Sequence, residues 1–146
     1  MKTVIIYYTL GGSTKKEAES LAKKLAAPLC RVKEAHERGL FAAFVPGGFL
    51  AMRRKTVAIK PLNIDLQEYD RIIIGCPVWA GFPAPAFNAI MKLLPADKEV
   101  ELFLCSGGGD TQKSEQGTKE LIKKKGCKLI SYRNVCTSVL PGKMKE

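Results

Sequence analysis

The sequence predicts an α/β fold in which a parallel sheet is covered by helices. Two observations carry this. Short apolar, β-branched runs alternate along the chain with stretches whose apolar residues recur at i, i+3, i+4 and i+7, and strands alternating with helices build parallel sheets. Three of those runs are apolar throughout, the mark of strands buried on both faces, and each ends in a glycine-bearing loop. The 146 residues are read as a single domain, 1–146, long enough for a substantial core.

The first run, Thr3 to Tyr8, is a strand core, and Thr9-Leu10-Gly11-Gly12-Ser13-Thr14 follows it directly. Ala18, Leu21, Ala22 and Leu25 then line one face of a helix from about residue 13 to 27, with Lys15, Lys16, Lys23 and Lys24 left in water. Pro28 stops it, and Leu29 to Lys33 alternates as an edge strand. Between residues 37 and 60, Leu40, Phe41, Phe44, Val45, Phe49, Leu50 and Met52 form an apolar stretch broken by Pro46-Gly47-Gly48. Two readings stand for it: a connection packed on the protein's own surface, or an apolar lip that docks a partner or second subunit.

A second strand core, Tyr69 to Cys76, leads into the loop Pro77-Val78-Trp79-Ala80-Gly81-Phe82-Pro83. Pro85 suits a first helical turn, and Phe87, Ile90, Met91 and Leu94 repeat at helical spacing after it. A third strand, Val100 to Cys105, ends in Ser106-Gly107-Gly108-Gly109-Asp110. A polar helix over about 113–125, a last strand over 128–132 and a short tail complete the chain.

Composition narrows the function classes. The net charge of +10 suggests attraction to acidic partners, whether nucleic acid, membrane or acidic proteins, and does not choose among them; the basic residues are dispersed with no long basic tail and the aromatics are few, and nucleic acid is not the expected partner. Five widely spaced cysteines with no C-x-x-C pair read as reduced, buried thiols of a cytoplasmic protein, neither a disulfide framework nor a metal site. The single histidine, His36, has no second histidine with which to share a metal or a catalytic task. The N-terminus shows no cleavable signal pattern, and no stretch reaches the roughly 20 apolar residues of a membrane span.

The first loop is where chemistry enters. A strand, a glycine turn and a helix N-terminus in succession expose backbone N–H groups at the positive end of a helix dipole, a cradle for phosphate to which Thr9, Ser13 and Thr14 add hydroxyls. An ordinary turn with an N-cap is the competing reading. Loops 9–14, 77–83 and 106–110 all follow carboxyl ends of strands, so they are expected to meet at one rim.

From Met1 to about Ser131 the chain resembles the flavodoxin family, itself the standing example of ligand binding at such a rim. The family's S/T-x-T-G-x-T loop is matched by Thr9, Gly12 and Thr14; Gly11 stands in place of a threonine and removes one hydroxyl. The run Tyr69 to Gly81 resembles the strand and flavin loop of short flavodoxins. The resemblance implies a three-layer sandwich with a five-stranded parallel sheet in the order 2-1-3-4-5. It also implies bound FMN, with phosphate at Thr9, Leu10, Gly11, Gly12, Ser13 and Thr14. Its ring would lie against Trp79 and be edged by Pro77, Val78, Ala80 and Gly81, and its pyrimidine side would meet Ser106, Gly107, Gly108, Gly109 and Asp110. Against this, a lone tryptophan in a loop also serves as a surface anchor for a core.

Two departures accompany the resemblance. The third loop lacks the aromatic that many flavodoxins stack on the flavin, and the tail from Val135, with Pro141 and Gly142, is too poor to supply the family's C-terminal helix. The sheet face so exposed is expected to be covered by self-association into a homo-oligomer or by Leu40 to Met52. The function implied is an FMN-dependent electron carrier whose redox partner has an acidic surface. The alternatives are an FMN-dependent NAD(P)H:quinone-type reductase and a flavin-free scaffold that binds through its basic surface.

Overall fold

The computed structural model describes residues 1–35, 48–108 and 111–137. The expectations that fall on Leu40 to Gly47, on Gly109 and Asp110 and on the tail beyond Thr137 lie outside these residues. In chain order the elements are β1 (Thr3–Tyr8), α1 (Ser13–Leu25), β2 (Leu29–Val32), α2 (Gly48–Met52), a 3₁₀ turn (Leu66–Glu68), β3 (Arg71–Trp79), β4 (Phe82–Pro83), α3 (Pro85–Leu93), β5 (Glu99–Ser106), α4 (Glu115–Lys124) and β6 (Lys128–Cys136).

The sheet runs β2-β1-β3-β5-β6, every neighbour parallel, with the two-residue β4 antiparallel to the end of β3. With that short ribbon set aside the order is the expected 2-1-3-4-5. The central strands are apolar on both faces because both faces are covered. On one face Val4, Ile6, Ile72, Ile74, Leu102 and Leu104 pack against Ala51 of α2, Phe87 and Ile90 of α3 and Ile122 of α4. On the other, Ile5, Tyr7, Ile73, Phe103 and Cys105 pack against Ala18 of α1.

Only α1 covers that second face among the described helices, and beside it the face carries ion pairs. Arg71 bridges Glu99 at 2.8 Å and Glu101 at 3.4 Å, and Arg133 reaches Glu17 of α1 at 3.1 Å while its guanidinium lies 5.6 Å from the Phe103 ring. The described part of the Leu40 to Met52 stretch packs on the opposite face, through Ala51, so it does not cover this one. Phe103 lies across Gly75 of the neighbouring strand: a Cβ at Gly75 would stand 2.2 Å from Phe103 Cζ. The glycine in Ile-Ile-Ile-Gly-Cys is thus a seat for an aromatic ring, a requirement visible only once β3 and β5 are paired.

The last strand is longer than the sequence suggested. It pairs with β5 up to Cys136, past a bulge between Val100 and Glu101, and Thr137 N–H donates to Ser106 O at 2.9 Å. Residues 133–136, read as tail, are therefore strand.

Candidate functional site

The three loops meet at the carboxyl ends of β1, β3 and β5, which are neighbours in the sheet. In the first, Gly12 adopts φ 129°, ψ −12°, a backbone closed to other residues, and a Cβ there would meet nothing within 4 Å. The turn needs glycine for its backbone angle, since the space around it is open. Thr9 Oγ1 accepts from Gly12 N–H at 3.1 Å, which leaves its own hydrogen to donate. The first intrahelical bond runs from Lys16 N–H to Gly12 O at 3.0 Å, so the N–H groups of Ser13, Thr14 and Lys15 precede the ladder. Gly12 at the N-cap position has no side chain with which to close this end, and no acid occupies the first turn.

Thr14 is fully buried, and its Oγ1 has no hydrogen-bond partner among the described residues. Leaving a buried hydroxyl unbonded costs about 1–3 kcal/mol. An orphaned donor in the first turn of a helix, at the positive end of its dipole, is chemistry suited to an anionic oxygen.

The second loop is tighter than expected. β3 continues through Pro77, Val78 and Trp79, which pairs with Phe82, so that only Ala80 and Gly81 turn the chain. Both have positive φ, 54° and 84°, the geometry of a type I′ hairpin. Pro77 O accepts from Ala84 N–H at 3.0 Å, closing the ribbon. Trp79 is buried, its ring edge-on to Tyr8 with centroids 6.0 Å apart and planes at 78°, which joins the first loop's strand to the hairpin.

The third loop leaves β5 at Ser106; Gly107 and Gly108 are exposed, with open space where a side chain would stand. The chain is then pinned back to the rim. Thr111 Oγ1 donates to Asn134 Oδ1 at 2.6 Å and lies 2.5 Å from Tyr132 OH, whose phenol burial pushes up in pKa. Ser114 Oγ donates to Gly81 O at 2.7 Å, tying the start of α4 to the hairpin.

Several residues at or near the rim were missed from sequence. Glu34 is buried and accepts from Tyr8 OH at 2.6 Å beside a cavity of about 110 Å³ that also touches Thr9 and Leu10. The alternation that buries Cys30 and Val32 extends to Glu34, so a signal existed. Arg54 had none: its Nη2 donates to Ser114 O at 3.0 Å and Thr118 Oγ1 at 3.2 Å, and its guanidinium stacks 5.1 Å from the Phe82 ring. Gly117 makes room for it, since a Cβ there would lie 2.9 Å from Nη2. Burial lowers the Arg54 pKa from its ordinary value.

Cys76 and Cys105, which border the second and third loops, are buried and in no disulfide, and burial drives the Cys76 pKa far upward, against reactivity. Cys136 is exposed, so the expectation of uniformly buried thiols fails there. Among the described residues no cluster of His, Cys, Asp or Glu could hold a metal ion, and no helix is long and apolar enough to cross a membrane. A groove of about 550 Å³ lined by Ile59, Leu62, Leu66 and Leu93 lies beside the segments that lead into β3 and β5, remote from the three loops.

An α/β sandwich of order 2-1-3-4-5 with three loops gathered at its switch point is the flavodoxin-like class of fold. The comparisons agree. The chain is similar to a flavoprotein from Lactobacillus acidophilus NCFM whose crystal structure was solved in complex with FMN: 27% identity, 90% of this chain and 91% of that one covered, TM-score 0.72. The NMR structure of the apo-form of the flavoprotein from that organism gives 29% identity, the same coverage and a TM-score of 0.64. Oxidised flavodoxin 2 from Bacillus cereus, at 14% identity, 95% and 88% coverage and a TM-score of 0.54, shares the fold. An uncharacterized protein of Archaeoglobus fulgidus is 26% identical over 131 residues, 88% of this chain and 81% of its own length. No protein-family model matches. The flavodoxin-family resemblance read from the sequence is thus borne out by flavoprotein neighbours.

Proposed function

We propose that this chain binds FMN at the rim and carries electrons between redox partners. The observation that carries the reading is Thr14: a fully buried hydroxyl with no hydrogen-bond partner among the described residues, in the first turn of a helix that has glycine at its N-cap and no acid in that turn. The FMN complex of the 27% identical L. acidophilus protein supports the choice of ligand. FMN supplies the redox chemistry, and the chain binds and orients it. Thr9, Leu10, Gly11, Gly12, Ser13 and Thr14 take the phosphate. The hairpin of Pro77, Val78, Trp79, Ala80 and Gly81 takes the ring, and Ser106 to Asp110 its polar edge. A net charge of +10 suits a redox partner with an acidic surface.

A second reading rests on the third loop, where Gly107 and Gly108 are exposed and the sequence offers no aromatic to stack on the outer face of the ring, which suits access by a second substrate. It makes the chain an FMN-dependent NAD(P)H:quinone-type reductase. Stepwise reduction of the FMN-loaded chain, followed by absorption, separates the two. A carrier accumulates a one-electron reduced form and oxidises NADH or NADPH slowly; a reductase passes directly to the two-electron form and turns over with either nucleotide.

A further inference from the structure

We propose, building on the flavin reading, that the groove between α3 and α4 docks an acidic amphipathic segment of the protein with which this chain exchanges electrons. The groove encloses about 460 Å³. Its floor is apolar, from Met91 and Leu121, and its rim carries Lys55, Lys92 and Lys125. Among the described residues no Asp or Glu lines it, and none of those three ammonium groups has an ion-pair partner.

Its walls are fixed in advance. Asn88 Nδ2 donates to Lys55 O at 2.9 Å, and Arg54, which also lines the groove, is held by Ser114 O and Thr118 Oγ1. A preformed groove spares a ligand the cost of ordering it. On the other side of α4 a second groove of about 580 Å³ carries Lys119, Lys123 and Lys128, again with no acid in its lining. The acids of α4 nearest to both are Glu115, engaged by Lys119 at 2.7 Å, and Glu120, exposed beside Gln116.

Charge complementarity selects the occupant. Cations around an alkyl and thioether floor fit carboxylates flanking aliphatic side chains, the pattern of an acidic amphipathic helix. A nucleic acid would meet no aromatic plane on this floor. The groove is also mechanically continuous with the flavin hairpin, because Arg54 stacks on Phe82 and binds Ser114, which in turn holds Gly81 O.

The test uses the FMN-loaded chain and a fluorescein-labelled synthetic peptide with leucines at i, i+3, i+4 and i+7 and glutamates between them, read by anisotropy. The expected result is salt-sensitive binding that weakens about tenfold or more in K92E/K125E and less than about threefold in K23E/K24E, an equal charge change on α1. Equal weakening by both pairs, or no binding at all, overturns the proposal. So does a preference for the same peptide with serines for leucines, or for a single-stranded oligonucleotide. FMN affinity is measured in each variant and stays constant. If the parent chain itself fails to bind FMN the flavin reading falls, while peptide binding by the flavin-free chain still reports on the groove.

Discussion

Gly75→Ala is the sharpest perturbation of the fold that carries the site. The added Cβ would lie 2.2, 2.5 and 2.7 Å from three atoms of the Phe103 ring, whereas carbon atoms rest about 3.5–4.0 Å apart. The overlap exceeds 1 Å at the nearest atom, and the ring has little room to move: it is 1% exposed, beneath the Arg133 guanidinium. The cost is therefore expected at the upper end of overpacking effects, about 3 kcal/mol. Phe103→Leu deletes all three contacting atoms and alone costs about 1.5 kcal/mol. The double variant should consequently be more stable than Gly75→Ala and fall near Phe103→Leu, a coupling of about 3 kcal/mol. Urea unfolding followed by far-ultraviolet circular dichroism, with m-values compared, measures all four proteins. A Gly75→Ala loss under about 0.5 kcal/mol, or strict additivity in the double variant, would refute the ring-over-glycine argument.

Other consequences follow from the same coordinates. Ala80 sits at φ 54° in the hairpin, so Ala80→Gly should raise the unfolding free energy by about 0.5–1 kcal/mol, whereas Gly81→Ala at φ 84° should lower it; thermal melts of the two must move in opposite directions. Tyr8→Phe removes the hydrogen bond to the buried Glu34 carboxylate and should cost about 1.5–3 kcal/mol in urea unfolding; an unchanged midpoint would deny the pair any structural weight. Cys76 holds its proton well above the ordinary thiol value of 9.0 because it is buried. Above that value the unfolded chain loses a proton that the folded chain keeps. Stability should accordingly fall with rising pH by about 1.4 kcal/mol per unit for this group, and the slope should be shallower by that amount in Cys76→Ala. Stability that is flat between pH 9 and 10.5 would contradict the sign.

Much of this was legible because the chain obeys simple periodicities. Continuous apolar runs gave β1, β3 and β5, and the i, i+3, i+4 spacing of Ala18, Leu21, Ala22 and Leu25 gave α1. The hairpin at Ala80 and Gly81 was not legible, since a type I′ turn usually announces itself as Asn-Gly or Asp-Gly and here places alanine at positive φ. Pro77 disguised it further by reading as a strand terminator. Arg54 was invisible for another reason: its partners Ser114 and Thr118 lie 60 and 64 residues away, and neither composition nor spacing encodes that meeting. The sheet face left by a missing last helix was expected to be covered by self-association or by Leu40 to Met52. Among the described residues the ion pairs of Arg71 with Glu99 and Glu101 and of Arg133 with Glu17 lie on that face, and they come from three strands and α1 brought together only by the register.

The central claim is that the rim holds FMN through its phosphate, and the most direct measurement is a fluorescence titration of FMN with the parent chain and with Thr14→Val, run beside riboflavin. Valine keeps the shape of threonine and removes the orphaned hydroxyl. The account predicts quenching and saturation for the parent, weaker binding of riboflavin, and affinity for FMN reduced about tenfold, or about 1.4 kcal/mol, in Thr14→Val. It also predicts that the flavin-free variant is at least as stable as the parent, because a buried hydroxyl with no partner among the described residues has been relieved. No binding by the parent at tens of micromolar FMN, or a Thr14→Val chain that binds FMN as well as the parent does, would contradict it.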